Sequence, residues 1–132
     1  MSAPTFQLRC RHERLTLCRL DGNAAIPPWA TGPGFWSVTR RDDELTVLCN
    51  TLSVPTDVQR EEGWRALEIN GVLEFMQVGI LARLTTDLPT AGIPVVALST
   101  YDTDVLLVKQ DRLQSALEAL REAGHEVMEG IT

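Results

Sequence analysis

The chain has 132 residues, of which 44% are hydrophobic, 23% charged and 5% aromatic, and twelve Lys and Arg against eighteen Asp and Glu give a formal charge of -6. That composition is too apolar for a disordered chain and suits one compact domain or two very small ones sharing a core. The acidic balance argues against a nucleic-acid binder, which needs a basic footprint, and against a protein drawn to anionic membrane surfaces. No apolar run approaches the roughly 20 residues of a membrane span. Met1-Ser2-Ala3-Pro4 opens without a basic n-region or an apolar h-region, so a cytoplasmic protein without a signal peptide is expected. Cys10, Cys18 and Cys49 are an odd number, which fits reduced thiols. They form no CxxC pair and match no common zinc spacing, so neither a metal nor a cofactor is expected. Cys10 and Cys18 are placed to share one strand pair near His12.

In chain order, Phe6–Cys10 and Leu15–Leu20 alternate apolar and polar residues, the pattern of a sheet with one wet face, with a turn at Arg11–Arg14. Ile26-Pro27-Pro28-Trp29 reads as a short helix opened by proline. Ala30–Gly34 is a loop by composition. Phe35–Thr39 and Leu45–Thr51 form a hairpin around the solvated turn Arg40–Glu44. The polar stretch Val54–Gly63 marks a boundary, giving halves at 1–62 and 63–132.

Beyond it the period changes. Trp64–Ile69 alternates and Asn70-Gly71 turns the chain. Ile80, Leu81, Leu84, Leu88 and Ala91 recur at helical spacing, Pro89 distorts the last turn, and Gly92 caps the helix. Ile93–Ser99 reads as a buried strand, joined to the apolar run Val105–Val108 by the short link Thr100–Thr103. Asp111 is placed as N-cap of a second helix with Gln114 reaching back. Leu113, Ala116, Leu117 and Leu120 form its stripe, and Gly124 ends it. His125 is expected in an exposed turn before a last strand, Glu126–Met128. The second half is therefore α+β: a ferredoxin-like βαββαβ plait of four antiparallel strands with both helices on one face.

A plait does not fix function. The strand runs Pro94–Leu98 and Val105–Val108 carry no aromatics, which argues against RNA stacking. The loop Asn70-Gly71-Val72-Leu73 has neither the thiol pair of a copper chaperone nor the cations of a phosphate site. No Ser, Cys or carboxylate pair has a catalytic setting, so no enzyme is expected. Gly32-Pro33-Gly34 is too short for a phosphate loop.

Phe75-Met76-Gln77-Val78-Gly79-Ile80-Leu81-Ala82-Arg83-Leu84 resembles the segment entering the first helix of ACT domains. Ala91–Val95 and the run Ser99-Thr100-Tyr101-Asp102-Thr103-Asp104 before a Val/Leu strand follow at matching spacing. The likeness is to the aspartate-kinase and CASTOR-like branch, which includes small bacterial stand-alone tandem proteins. It spans Trp64 to about Leu120, and Phe35–Thr39 with Glu44–Val47 is similar to the degenerate first half of such proteins. The resemblance implies a regulatory module without catalysis that binds a free amino acid where two ACT units meet, and a homodimer. The family's ligand contacts fall on Gln77, Gly79, Ile80, Thr100, Tyr101 and Asp104. Amides around Gly79 and Ile80 would face a ligand carboxylate at a helix N-terminus, and Asp104 an ammonium or guanidinium. Gln77 departs from the arginine-sensing members, which carry an acid there. The alternative from another class is a structural interaction module that dimerises or pairs with a partner protein and binds nothing small.

Overall fold

The computed structural model describes residues 6–70, 88 and 92–129. The chain divides into two compact units. One, the inserted unit, is Glu13–Trp64; the other, the split unit, combines Met1–His12 with Arg65–Thr132.

The inserted unit holds β2 (Leu15–Asp21), β3 (Ser37–Arg40), β4 (Glu44–Asn50) and the first part of β5 (Gln59–Ile69). Their order is β3-β4-β2-β5, antiparallel throughout. The expected β3–β4 hairpin is present. The polar stretch before Trp64 is not all linker, because β5 already begins at Gln59. Its register against β2 shifts between Leu15 and Leu17, where β5 carries Gly63 at φ 87°, a bulge that absorbs one extra residue. The links from β2 to β3 and from β4 to β5 each contain a short 3-10 turn, Pro28–Thr31 and Thr51–Ser53. Pro28 opens the first of these, as its fixed φ and missing N–H allow. Cys18, Ala30, Val47 and Cys49 form the unit's buried cluster, with Trp29, Val38 and Val58 packed on it.

The split unit holds β1 (Gln7–Cys10), the rest of β5, β6 (Val96–Ser99), β7 (Asp104–Lys109), helix α1 (Leu113–Glu122) and β8 (Glu126–Glu129). The strand order is β6-β7-β5-β1-β8. This corrects the four-stranded, wholly antiparallel expectation. β1 enters as a fifth strand, antiparallel to β5 and parallel to β8. It also corrects the reading of β1 and β2 as neighbours around a turn. β2 pairs with β4 and β5 instead, so Cys10 and Cys18 share no strand pair.

The stripe Leu113, Ala116, Leu117 and Leu120 is buried as expected, in one cluster with Leu8, Leu67, Leu106, Val108 and Val127. Asp111 is not the N-cap: it lies in a 3-10 turn, Gln110–Arg112, and no side chain caps α1. At the other end Gly124 takes φ 97°, its N–H donates to Arg121 O and that of His125 to Leu120 O (3.0 Å each), the paired closure that an αL glycine permits. Gly92 also takes a left-handed φ (81°), and the next N–H, that of Ile93, donates to the carbonyl of buried, helical Leu88 (3.0 Å). Ile80, Leu81, Leu84, Pro89 and Ala91 lie outside the described residues.

Two further expectations are overturned. His125 is 3% exposed, because Phe6 N–H donates to its Nδ1 (3.1 Å) and the Phe6 ring stacks on it at 5.6 Å. Ile93–Ser99 is not a buried strand: β6 pairs only with β7 among the described strands, and Val96 is 38% exposed. Its continuous apolar run belongs to an outermost strand among those described rather than to a sheet centre.

Leu117 is completely buried beneath the sheet in that cluster. Leu117→Ala is expected to lower unfolding free energy by about 2–5 kcal/mol, read from the urea midpoint at unchanged slope.

Candidate functional site

β7 is the rigid member of the split unit's hairpin, since Val105 to Val108 are all buried. Period-two alternation places Asp104 on the face of Leu106 and Val108, at the rim where β7 begins. The carboxylate is partly buried, and Ser99 Oγ donates to its Oδ1 (2.7 Å). Ser99 and Asp104 are a direct cross-strand pair.

The turn between them is locked by one hydroxyl. Thr100 N–H donates to Thr103 O (2.8 Å), Thr100 Oγ1 donates to the same carbonyl (3.0 Å) and accepts from Thr103 N–H (3.1 Å). This is the Ser/Thr turn chemistry that competes with ladder pairing. Thr103 Oγ1 in turn donates to Ile69 O (3.1 Å), tying the rim to the last residue of β5. Tyr101 projects from the tip, 87% exposed.

Of the six residues carried over from the family resemblance, Thr100, Tyr101 and Asp104 therefore sit on one hairpin rim. Gln77, Gly79 and Ile80 lie outside the described residues. Ser99 and Thr103 had been given no role. Their signal was the hydroxyl-rich run itself, in which Ser99 holds the carboxylate and Thr103 reaches the neighbouring strand.

Several other chemistry-bearing groups among the described residues are committed to structure. Glu13, only 7% exposed, accepts Phe35 N–H (3.3 Å) below the Gly32-Pro33-Gly34 loop. A carboxylate there repels phosphate, so the loop is no anion cradle. A shallow groove of about 290 Å³ in the inserted unit is lined by Leu17, Arg19, Thr46, Gln59 and Arg60 among others. Its guanidiniums are engaged by backbone, Arg19 with Asp43 O (3.1 Å) and Arg60 with Val58 O (3.1 Å). No group of three or more His, Cys, Asp or Glu able to hold a metal is found among the described residues. No described helix is long and apolar enough to cross a membrane.

The three thiols are free and buried. Burial pushes each above its ordinary range, Cys49 to about 11 with the nearby Cys18 adding to the shift. They are protonated at neutral pH; Cys18 and Cys49 pack as small apolar groups, whereas Cys10 Sγ donates to Arg11 O (3.6 Å) and accepts from Arg65 (3.5 Å).

A family model for the ACT domain matches residues 59–122, and a second, for an N-terminal domain, matches 13–57. A protein of Agrobacterium tumefaciens solved by X-ray crystallography is 35% identical with a TM-score of 0.93, covering 98% of this chain and 97% of that one. The chain carries an ACT domain over residues 59–122. Its fold is that of aspartate-kinase regulatory domains. The aspartate kinase of Clostridium acetobutylicum superposes with a TM-score of 0.68 at 10% identity, over 93% of this chain but 35% of the kinase. The regulatory subunit of aspartate kinase from Thermus thermophilus, in a ligand-free form, gives 0.57 at 9% identity, over 85% and 93%. A search of curated proteins finds no match. The ACT-domain match points to a regulatory ligand-binding role for this protein.

The raised thiols fix a pH dependence for it. The folded state keeps the Cys49 proton that the unfolded chain releases above about 8.5. Stability from this group is thus full below about 8.5 and is lost as pH rises towards about 11. Urea unfolding across that window is expected to show a shallower loss for Cys49→Ala than for the parent chain. Equal slopes would show that the Cys49 thiol does not titrate differently in the two states.

Proposed function

We propose that the protein senses a free amino acid, with the hairpin rim of the split unit as part of the binding site. The carrying observation is the carboxylate of Asp104, held at one oxygen by Ser99 on a turn that is bonded to the end of β5. In this reading Asp104 faces the ligand's ammonium or guanidinium group. Thr100 and Tyr101 border it, and Gln77, Gly79 and Ile80, carried over from the family resemblance, supply the carboxylate end. The protein is then a cytoplasmic homodimer that regulates and does not catalyse.

The inserted unit is the degenerate ACT-like half in this account. Its order β3-β4-β2-β5 is that of a βαββαβ plait in which 3-10 turns occupy the helix positions. The division into 1–62 and 63–132 is modified in one respect by the proposal: β1 works with the second half.

A second reading, an interaction module that binds nothing small, is favoured by one observation. β6 pairs only with β7 among the described strands and exposes Val96 and Ala97, the kind of edge that can template another chain.

A thermal-shift screen against the twenty amino acids separates the two. A ligand at about 100 times its dissociation constant stabilises the fold by about 2.7 kcal/mol. A hit followed by calorimetry should show affinity about ten- to a hundred-fold weaker in Asp104→Asn, the worth of one charge-assisted hydrogen bond. A flat screen at millimolar concentrations, with light scattering reporting a dimer, supports the interaction module instead.

A further inference from the structure

We infer that the chain binds one ligand, in the split unit, because the inserted unit fills its equivalent rim with its own Arg40. The inference rests on the amino-acid reading above and says which half of the tandem carries it out.

The two units present the same local arrangement. In the split unit the strands run β6-β7-β5, and in the inserted unit β3-β4-β2. Each hairpin closes through the same bond, Thr100 N–H to Thr103 O and Arg41 N–H to Glu44 O, both 2.8 Å. The pair just inside that bond is Ser99 with Asp104 in one and Arg40 with Leu45 in the other. Arg40 therefore stands where Ser99 stands, and Leu45 where Asp104 stands.

The chemistry is inverted by these two exchanges. Leu45 is completely buried and offers no charge to a ligand cation. Arg40 reaches over the end of β2 and donates to Ala24 O (2.6 Å) and to Gly22 O. Those carbonyls follow β2 just as Asn70 follows β5. A guanidinium of the chain itself thus occupies the rim of the inserted unit. The link after β2 also holds only a four-residue 3-10 turn, too short to offer a helix N-terminus to a carboxylate. A ligand ammonium thus meets no carboxylate at the position of Asp104, and a ligand carboxylate meets no helix N-terminus.

Calorimetry with each of the twenty L-amino acids that stabilises the parent chain tests this on the parent, Asp104→Asn and Arg40→Ala. Arg40 is exposed, so its variant is expected to fold. The expected result is one ligand per chain, affinity unchanged in Arg40→Ala, and a fall of about ten- to a hundred-fold in Asp104→Asn. Two ligands per chain overturn the inference while leaving the amino-acid reading intact. So does affinity lost in Arg40→Ala and kept in Asp104→Asn. Absence of binding by all twenty to the parent chain removes the amino-acid reading, and this inference with it.

Discussion

The split unit closes only when β1 lies between β5 and β8. Without it, β5 and β8 would each leave a row of backbone donors and acceptors unpaired inside the unit. The strand meets β8 over its whole length and β5 from Leu8 to Cys10, with Leu8 opposite Ile69 on one side and Val127 on the other. Its two ends are fastened by backbone bonds, Asn70 N–H to Gln7 O (2.8 Å) and Arg11 N–H to Ala66 O (2.9 Å). Leu8 and Cys10 fill the helix-facing core. On the other face Glu68 lies between Arg9 (3.4 Å) and Arg11 (2.9 Å), partly exposed pairs that add specificity of register more than stability. Arg65 completes the fastening, donating to Arg11 O through Nε (3.1 Å) and a terminal nitrogen (2.7 Å), and to Gln110 Oε1 (2.9 Å).

This arrangement explains what could and could not be read from the sequence. The stripe Leu113 to Leu120 and the glycines at 92 and 124 are local signals: helical spacing and an αL stop need nothing from distant chain. The β3–β4 and β6–β7 hairpins are likewise set by short links. The partner of β1 is not a local matter. Its alternation identifies a strand, but a two-residue period does not say which strand lies beside it. His125 failed for the same reason. It is buried because Phe6, distant in sequence, arrives beside it with β1, and a histidine after a helix-ending glycine carries no trace of that.

Apolar continuity misled at β6. Val95, Val96, Ala97 and Leu98 look like a central strand, yet β7 next to it takes the central place with residues buried on both faces. Hydrophobicity alone does not separate a doubly covered strand from an edge. The proposed N-cap failed through competition of another kind. Gln110–Arg112 folds as a 3-10 turn, and Asp111 is used inside that turn rather than in front of α1. In the candidate site, the residue types of the rim were legible from the run Ser99 to Asp104, whereas the bonding that orders them was not.

That bonding bears on how a small rim can be selective. A carboxylate on a mobile loop must be ordered when a ligand arrives, and the ordering opposes binding. Here Asp104 begins a strand whose next four residues are buried, and Ser99 already holds one of its oxygens. Thr100 fixes the turn through donor and acceptor bonds to the same residue, and Thr103 fixes the turn to β5. Rotation of the carboxylate is therefore limited before any ligand is present. Among the described residues, the groups bonded around the turn are hydroxyls and carbonyls, which orient dipoles at the carboxylate. In the inserted unit the same backbone carries a leucine and an arginine at the matching pair. The backbone of the plait supplies the position, and two side chains decide whether it faces outward as an acceptor or is satisfied from within.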